Sequence, residues 1–404
     1  MKCGLLGRKL GHSFSPQIHG YLGDYSYELF QREPEELEAF VKNCDWNGIN
    51  VTIPYKKDVI PYLDALSPIA AKLEAVNTII RRDGKLIGHN TDYFGFQEMV
   101  RSSGLDLAGK KTLVLGTGGA SMPVVAALTD CGAQVISISR SGANNYSNLH
   151  LHADAAVIVN ATPVGMYPNT GVSPVDLSLF PRLEGVLDIV YNPARTQLLL
   201  DAEARGLVAV NGLLMLVAQA KEASEWFQGK ALADSLIQTI HTDLRCQTGN
   251  IVLIGMPGCG KTTLGRLLAQ QLGRTFVDAD EKIVELAGKS IPEIFADDGE
   301  AIFRTWETKA LSELGKQSGL ILSTGGGCVT RERNYPLLHQ NGTIYWLKRN
   351  LSKLPTDGRP LSQMGTLADM YEKRQPLYAA FADHIIDNDG TLEESLAQFT
   401  EVCV

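Results

Sequence analysis

Two short apolar runs, far apart in the chain, each end in glycines and lead into a helical pattern. The first is Lys111-Thr112-Leu113-Val114-Leu115 followed by Gly116-Thr117-Gly118-Gly119-Ala120-Ser121. The second is Asn250-Ile251-Val252-Leu253-Ile254 followed by Gly255-Met256-Pro257-Gly258-Cys259-Gly260-Lys261-Thr262. A strand that hands a glycine turn to a helix start aims backbone N–H groups at a phosphate. Elsewhere Pro34 with Leu37, Phe40 and Val41 predicts an amphipathic helix over 34–43, and Ile49–Ile53 reads as a strand ended by Pro54. Leu216, Ala220, Ala223 and Phe227 carry helical periodicity through 213–240. The polar stretch 241–249 reads as a short linker between two regions that each look complete.

The chain's 404 residues call for two or three domains. With 44% apolar and 20% charged residues it is an ordinary globular mixture. No apolar run reaches the roughly 18 residues of a membrane span, and the opening Met1–Gly7 is too short and glycine-rich for a signal peptide. The net charge of −8 is spread evenly: residues 1–250 hold 21 basic and 25 acidic groups, residues 251–404 hold 16 and 20. Neither half has the basic excess of a nucleic-acid binder. Seven scattered cysteines without a CxxC pair exclude a disulfide framework, disfavour a zinc site, and fit the reduced cytoplasm.

After the next strand, Val135–Ile138, comes Ser139-Arg140-Ser141, where an NAD enzyme places an acid on the ribose hydroxyl. A guanidinium flanked by two hydroxyls suits a 2′-phosphate, so NADPH is expected over NADH; a solvated surface arginine is the plain alternative. Only residues 141–156 separate this point from the strand Val157–Asn160, fewer than a full crossover needs, so an abbreviated crossover is expected.

Gly11-His12-Ser13-Phe14-Ser15-Pro16, Asn50-Val51-Thr52-Ile53-Pro54-Tyr55-Lys56, Ala75-Val76-Asn77-Thr78 and Gly88-His89-Asn90-Thr91-Asp92 follow one another in an order and spacing that resemble shikimate dehydrogenase. Asn160-Ala161-Thr162-Pro163-Val164-Gly165-Met166 and Gly212 with Met215–Gln219 continue the likeness through about residue 240. The resemblance implies that Lys56 donates a proton to the developing alkoxide and that Asp92 holds the lysine and a substrate hydroxyl. It makes Ser13 and Ser15 carboxylate contacts, and Thr52, Asn77, Gln219 and Tyr191 further substrate contacts. It also assigns NADP to Gly116, Thr117, Gly118, Gly119, Ala120, Ser139, Arg140, Ile189 and Gly212. Taken singly, Lys56 could be one of two surface lysines with Lys57, and Asp92 a helix N-cap. Met122 departs from the family, which often has a basic residue there.

Gly255-x-x-x-x-Gly260-Lys261-Thr262 is a P-loop: Gly258, Cys259, Gly260 and Thr263 would contribute backbone, Lys261 would reach the β/γ oxygens, and the Thr262 hydroxyl would ligate Mg²⁺. The remainder resembles shikimate kinase through Phe276-Val277-Asp278-Ala279-Asp280, Phe303-Arg304 with Glu307, Thr324-Gly325-Gly326-Gly327, Gly358-Arg359-Pro360-Leu361 and Lys373-Arg374-Gln375-Pro376-Leu377-Tyr378. That likeness puts Asp278 on the magnesium side and gives Asp280 the acceptor hydroxyl. Arg304 and Arg374 would clamp a carboxylate, Gly326 would approach the substrate, and Arg359 would ride a mobile lid over the ATP phosphates. Asp387–Gly390 lacks the basic residue with which some members meet adenine.

The expected fold class is α/β: a substrate domain over 1–95 with 213–245 returning to it, a Rossmann-like NADP domain over 96–212, and a P-loop kinase domain with a parallel sheet over 249–404. The expected function is bifunctional: NADPH-dependent reduction of 3-dehydroshikimate, then ATP- and Mg²⁺-dependent phosphorylation of the shikimate 3-hydroxyl, with no nucleic-acid or membrane partner. A ligand-sensing regulator and a quinate dehydrogenase using NAD are the rivals. Monomer and homodimer both stay open.

Overall fold

Three β-sheets follow one another along the chain in the computed structural model, which describes residues 1–11, 13–43, 46–354 and 367–403. The first sheet holds β1 (Lys2–Gly7), β2 (Ser26–Gln31), β3 (Gly48–Val51), β4 (Ala65–Leu66), β5 (Thr78–Arg82) and β6 (Lys85–His89), in the order β2-β1-β3-β5-β6-β4. It is mixed: β1 runs parallel to β2 and β3, while β5 runs antiparallel to β3 and β6. The strand expected over 49–53 stops at Val51. Thr52 begins a turn, and Ile53, no longer in the sheet, is 73% exposed. The helix expected over 34–43 is present as a 3₁₀ turn, Pro34–Glu36, continuing into a helix over Leu37–Asn43.

The second sheet is wholly parallel: β7 (Lys111–Leu115), β8 (Gln134–Ile138), β9 (Val157–Asn160), β10 (Gly185–Asp188) and β11 (Val208–Asn211), ordered β11-β10-β9-β7-β8. Parallel neighbours need crossovers. The helix Ser121–Asp130 links β7 to β8, but between β8 and β9 there is only the 3₁₀ turn Leu149–His152, the abbreviated crossover expected from its length. Side chains replace the missing helical bonds there: Asn148 Nδ2 donates to the Ala143 carbonyl at 2.7 Å, and Asn145 Nδ2 to that of Gly142 at 2.8 Å.

Two sequence expectations between the second and third sheets need correction. Periodicity through 213–240 belongs to two helices, because Gly229 at φ 66° caps Leu213–Gln228 and a second helix spans Ser235–Thr248. The supposed linker at 241–249 is therefore helical almost to its end. Ile237, Ile240 and Leu244 are buried at 5%, 0% and 0% exposure, a stripe at spacings of three and four that the polar residues around it conceal. The division drawn at 95/96 likewise falls inside one helix, Asp92–Ser103, whose Phe96, Met99 and Val100 pack with the second sheet's core.

The third sheet is also wholly parallel: β12 (Asn250–Ile254), β13 (Thr275–Asp278), β14 (Leu320–Ser323), β15 (Gly342–Lys348) and β16 (His384–Asp387), ordered β13-β14-β12-β15-β16. β12 is central and buried at every residue, as a strand covered on both faces must be. By contacts the chain divides into two compact units. One comprises Met1–Gly165, Val172–Tyr191 and Leu198–Asp243; the other comprises Met166–Gly171, Asn192–Gln197 and Leu244–Val404. Among the described residues no helix is long and apolar enough to cross a membrane.

Candidate functional site

In the first unit all eight residues named from the sequence as substrate contacts line one cavity of about 260 Å³: Ser13, Ser15, Thr52, Lys56, Asn77, Asp92, Tyr191 and Gln219. Lys56 Nζ stands 2.6 Å from Asp92 Oδ2, with 19% and 13% of the two side chains exposed. Asp92 is the first residue of its helix, where the dipole favours a carboxylate. That helix start is tied down from three directions. The Asp92 N–H donates to Asn90 Oδ1 at 3.1 Å, the Thr91 N–H donates to Asn77 Oδ1 at 2.7 Å, and Thr91 Oγ1 donates to Gln219 Oε1 at 3.2 Å. Ser13 and Ser15 present their hydroxyls together, 3.1 Å apart, at the start of the helix Ser15–Leu22.

Behind these groups lies a buried polar layer that the sequence reading did not assign. Asn50 also lines the cavity; its Oδ1 accepts from the Tyr27 hydroxyl at 2.7 Å and its Nδ2 donates to Thr78 Oγ1 at 3.1 Å. His19 stacks on Tyr27 with ring centroids 4.0 Å apart and bonds the Tyr25 hydroxyl at 2.7 Å. Burial holds the His19 pKa down to about 3, so the imidazole is neutral, and pushes the Tyr25 and Tyr27 phenols up. Burial likewise raises the phenol of Tyr191, whose ring lies 5.9 Å from that of Phe14.

The same cavity is walled by Ala120, Ile189 and Gly212. Gly116 needs its glycine: at φ 102° a Cβ would lie 2.8 Å from Thr162 Cγ2. At Gly118 and Gly119 a Cβ would meet nothing within 4 Å, so the space before the helix Ser121–Asp130 is open to a ligand's phosphates. A Cβ on Gly212 would lie 2.1 Å from the Ile189 carbonyl oxygen, so these two backbones meet at the cleft. Thr117 is exposed on the glycine turn. Leu115 pairs with Ile138, and the Gly116 N–H donates to the Ile138 carbonyl at 2.8 Å. Ser139 and the exposed Arg140 therefore leave β8 beside that turn. Glycine turn, helix start and adjacent guanidinium together fit a dinucleotide carrying a 2′-phosphate.

The second unit has a cavity of about 390 Å³ at the ends of β12, β13 and β14, lined by Gly258, Gly260, Lys261, Thr262, Thr263, Asp278, Asp280, Arg304, Gly326 and Arg374 among others. Gly255, Gly258 and Gly260 take φ of 145°, 82° and 100°, a path that L side chains resist. Cys259 is fully buried beneath the loop, so only its backbone can serve a nucleotide. Lys261, 7% exposed, donates to the Gly255 and Met256 carbonyls at 3.0 and 3.1 Å. Thr262 Oγ1 donates to Asp278 Oδ2 at 2.9 Å. This pair of oxygen donors fits a magnesium ion shared with phosphate oxygens. Among the described residues no cluster of three His, Cys, Asp or Glu offers an all-protein metal cage.

Arg304 is buried to 5% exposure and already engaged: Nη1 donates to both Glu307 carboxylate oxygens at 3.0 Å and Nη2 to Glu300 Oε1 at 3.1 Å. Glu307 is fully buried, and burial raises its pKa against the pull of Arg304. Glu300 is 53% exposed, so its half of the guanidinium can be surrendered to an incoming carboxylate. The glycine triplet is packed against these groups. A Cβ on Gly327 would lie 2.2 Å from Arg304 Nη2, and one on Gly326 would lie 2.7 Å from Pro257 Cδ. Arg374 Nη1 and the Tyr378 hydroxyl both donate to the Gly326 carbonyl, the former at 3.2 Å. Arg359 and His12 lie outside the described residues.

Sequence reasoning quoted Thr91 and Glu307 without giving them a role, although an acid three residues after Arg304 on a helix is a readable signal. It passed over Asn388, whose Nδ2 donates to the Cys259 carbonyl at 2.6 Å and braces the P-loop from β16. Only the sheet order brings those two together.

Comparison with known proteins separates along the same line. The family model for the shikimate dehydrogenase substrate binding domain matches residues 5–79, and that for shikimate kinase matches residues 257–404. Shikimate dehydrogenase (NADP(+)) of Clostridium perfringens is 36% identical over 266 residues, 60% of this chain and 98% of that one. Among solved structures, a chorismate mutase/shikimate 5-dehydrogenase fusion protein from Clostridium acetobutylicum is 35% identical with a TM-score of 0.58, covering 60% of this chain and 96% of its own. Shikimate 5-dehydrogenase from Thermus thermophilus, solved with NADP(H) and shikimate, is 32% identical with a TM-score of 0.55, covering 60% and 99%.

Proposed function

The chain belongs to the shikimate dehydrogenase family and ends in a shikimate kinase domain, and from that premise we propose that it makes shikimate by reduction and then phosphorylates it. The observation that carries the first step is the convergence of eight independently spaced motif residues on one cavity around the Lys56–Asp92 pair. NADPH, when bound, supplies the hydride. Lys56 gives its proton to the oxygen that becomes a hydroxyl, and Asp92 fixes the ammonium and accepts from a substrate hydroxyl. Ser13 and Ser15 bind the ring carboxylate, while Thr52, Asn77, Gln219 and Tyr191 orient the ring. Gly116–Ala120, Ile189 and Gly212 form the cofactor bed, and Ser139 with Arg140 takes the 2′-phosphate.

In the second half Asp280 accepts the proton of the attacking hydroxyl. Arg304 and Arg374 hold the carboxylate, and the Gly326 backbone lines its approach. Lys261 leaves its own loop's carbonyls to meet the nucleotide's phosphates, and Thr262 with Asp278 holds magnesium, which neutralises charge on those phosphates when bound. The working divisions are 1–95 with 213–245 for substrate, 96–212 for cofactor and 249–404 for phosphoryl transfer, the helix Asp92–Ser103 joining the first two by giving Asp92 to the substrate cavity and Phe96 to the second sheet's core. Cys3, Cys131, Cys246, Cys259 and Cys328 form no disulfide with one another, in keeping with the reducing, cytoplasmic setting proposed here.

The test is one vessel holding the protein, 3-dehydroshikimate, NADPH, ATP and Mg²⁺. The expected product is shikimate 3-phosphate, with NADPH and ATP consumed in equal amounts. Shikimate accumulating with no phosphorylated product would remove the kinase half, and no NADPH oxidation would remove the dehydrogenase half.

A further inference from the structure

Arg349, the residue after β15, is partly buried, and its Nε is enclosed without a hydrogen-bond partner. Among the described residues no carboxylate pairs with it. Burying one N–H of a guanidinium without an acceptor is unfavourable, and because the side chain as a whole stays partly exposed, a ligand oxygen can supply the acceptor the protein does not. Its position says which ligand. A Cβ built on Gly260 of the P-loop would lie 3.7 Å from Arg349 Nη1 and 2.9 Å from Asn388 Nδ2, so both side chains border the phosphate-binding turn.

The strand order refines this. In β13-β14-β12-β15-β16 the acceptor groups Asp280 and Gly325–Gly327 follow β13 and β14, on one side of the P-loop strand. Arg349 and Asn388 follow β15 and β16, on the other. A nucleotide whose transferring phosphoryl group faces the acceptor therefore trails its α-phosphate and nucleoside toward Arg349.

We propose that Arg349, standing after β15, binds the α-phosphate of the nucleotide. The proposal rests on the kinase reading of this site. Charge on the α-phosphate changes little during γ-phosphoryl transfer, so Arg349 stabilises ground and transition states alike. It governs nucleotide affinity and not turnover.

The experiment uses the full chain with Arg349→Ala and Arg349→Lys, titrating MgADP calorimetrically and measuring kinase kinetics. Arg349→Ala should weaken MgADP about ten- to a hundredfold and raise the ATP KM by a like factor, with kcat within about twofold and the shikimate KM unchanged. Arg349→Lys should recover part of the affinity, keeping charge but not the fork. Since Arg349 supports no described neighbour by hydrogen bonding, the nucleotide-free melting temperature should not fall. An unchanged MgADP affinity in Arg349→Ala would overturn the assignment, as would a fall in kcat at constant ATP KM. Wild-type protein that binds no MgADP at all would instead overturn the kinase reading on which it rests.

Discussion

Lys56 and Asp92 are 36 positions apart in sequence and 2.6 Å apart in space, and neither side chain is more than about one-fifth exposed. The lysine comes from the turn after β3, the aspartate from the first position of a helix held by Asn77, Asn90 and Gln219. Their geometry is thus set before any substrate arrives, the condition under which a proton donor is most effective.

Lys56→Ala should lower dehydrogenase kcat by about 10²–10⁴ while phosphorylation of added shikimate continues unchanged. Lys261→Ala should do the reverse. Separate assays of the two reactions on each purified variant check this. One substitution silencing both reactions in a folded protein would refute independent halves.

Arg140→Ala should cut kcat/KM for NADPH by roughly one to two decades and leave that for NADH nearly unchanged, because the lost interaction is a charge-assisted bond to a phosphate that NADH lacks. Parallel initial-rate measurements with both cofactors decide it. A retained NADPH preference would move the 2′-phosphate contact elsewhere in 141–156.

Arg304 divides its guanidinium between a fully buried Glu307 and a half-exposed Glu300. Glu300→Gln removes a competitor for the acceptor's carboxylate, so the shikimate KM should fall, by up to about fivefold given the modest strength of exposed pairs. Glu307→Gln strips a buried cation of its partner and should destabilise the second unit by about 3–5 kcal/mol while raising the same KM. Kinase kinetics and thermal melts of the two variants would show opposite KM shifts. Shifts of the same sign would contradict the division of labour.

His19, buried and stacked on Tyr27, has a folded pKa near 3 against 6.5 unfolded. The unfolded chain therefore binds the extra proton between those values. This contribution to stability is complete above about pH 6.5 and is lost as pH falls toward 3, at about 1.4 kcal/mol per unit. Melting curves at pH 7, 6, 5 and 4 should show a shallower acid decline for His19→Asn than for wild type. Parallel declines would mean that folded His19 takes up its proton as readily as the unfolded chain does.

Contiguous motifs were legible because each carries its own local reason. The glycines of 255–260 sit at positive φ, and Ser13 with Ser15 begins a helix. Residues whose partners come from elsewhere in the chain were not legible. Tyr27 matters through Asn50, Asn388 through the Cys259 carbonyl, and Arg349 through Gly260, and only the strand order creates those neighbours. The helix Ser235–Thr248 hid for a different reason. Three buried apolar residues among polar ones make a faint stripe, and the eye follows composition.

The crossover between β8 and β9 shows how far a dinucleotide-binding scaffold can be trimmed. β8 is already the rim of its sheet, so the helix that would roof it is dispensable so long as Leu149 still plugs the core. Asparagines 145 and 148 then hold the backbone that helical hydrogen bonds would otherwise hold. A helix resists point substitution, whereas a loop pinned by single side chains is rewritten by one. The segment beside Arg140 can accordingly be reshaped at Asn145 or Asn148 with the sheet and the Lys56–Asp92 pair left untouched.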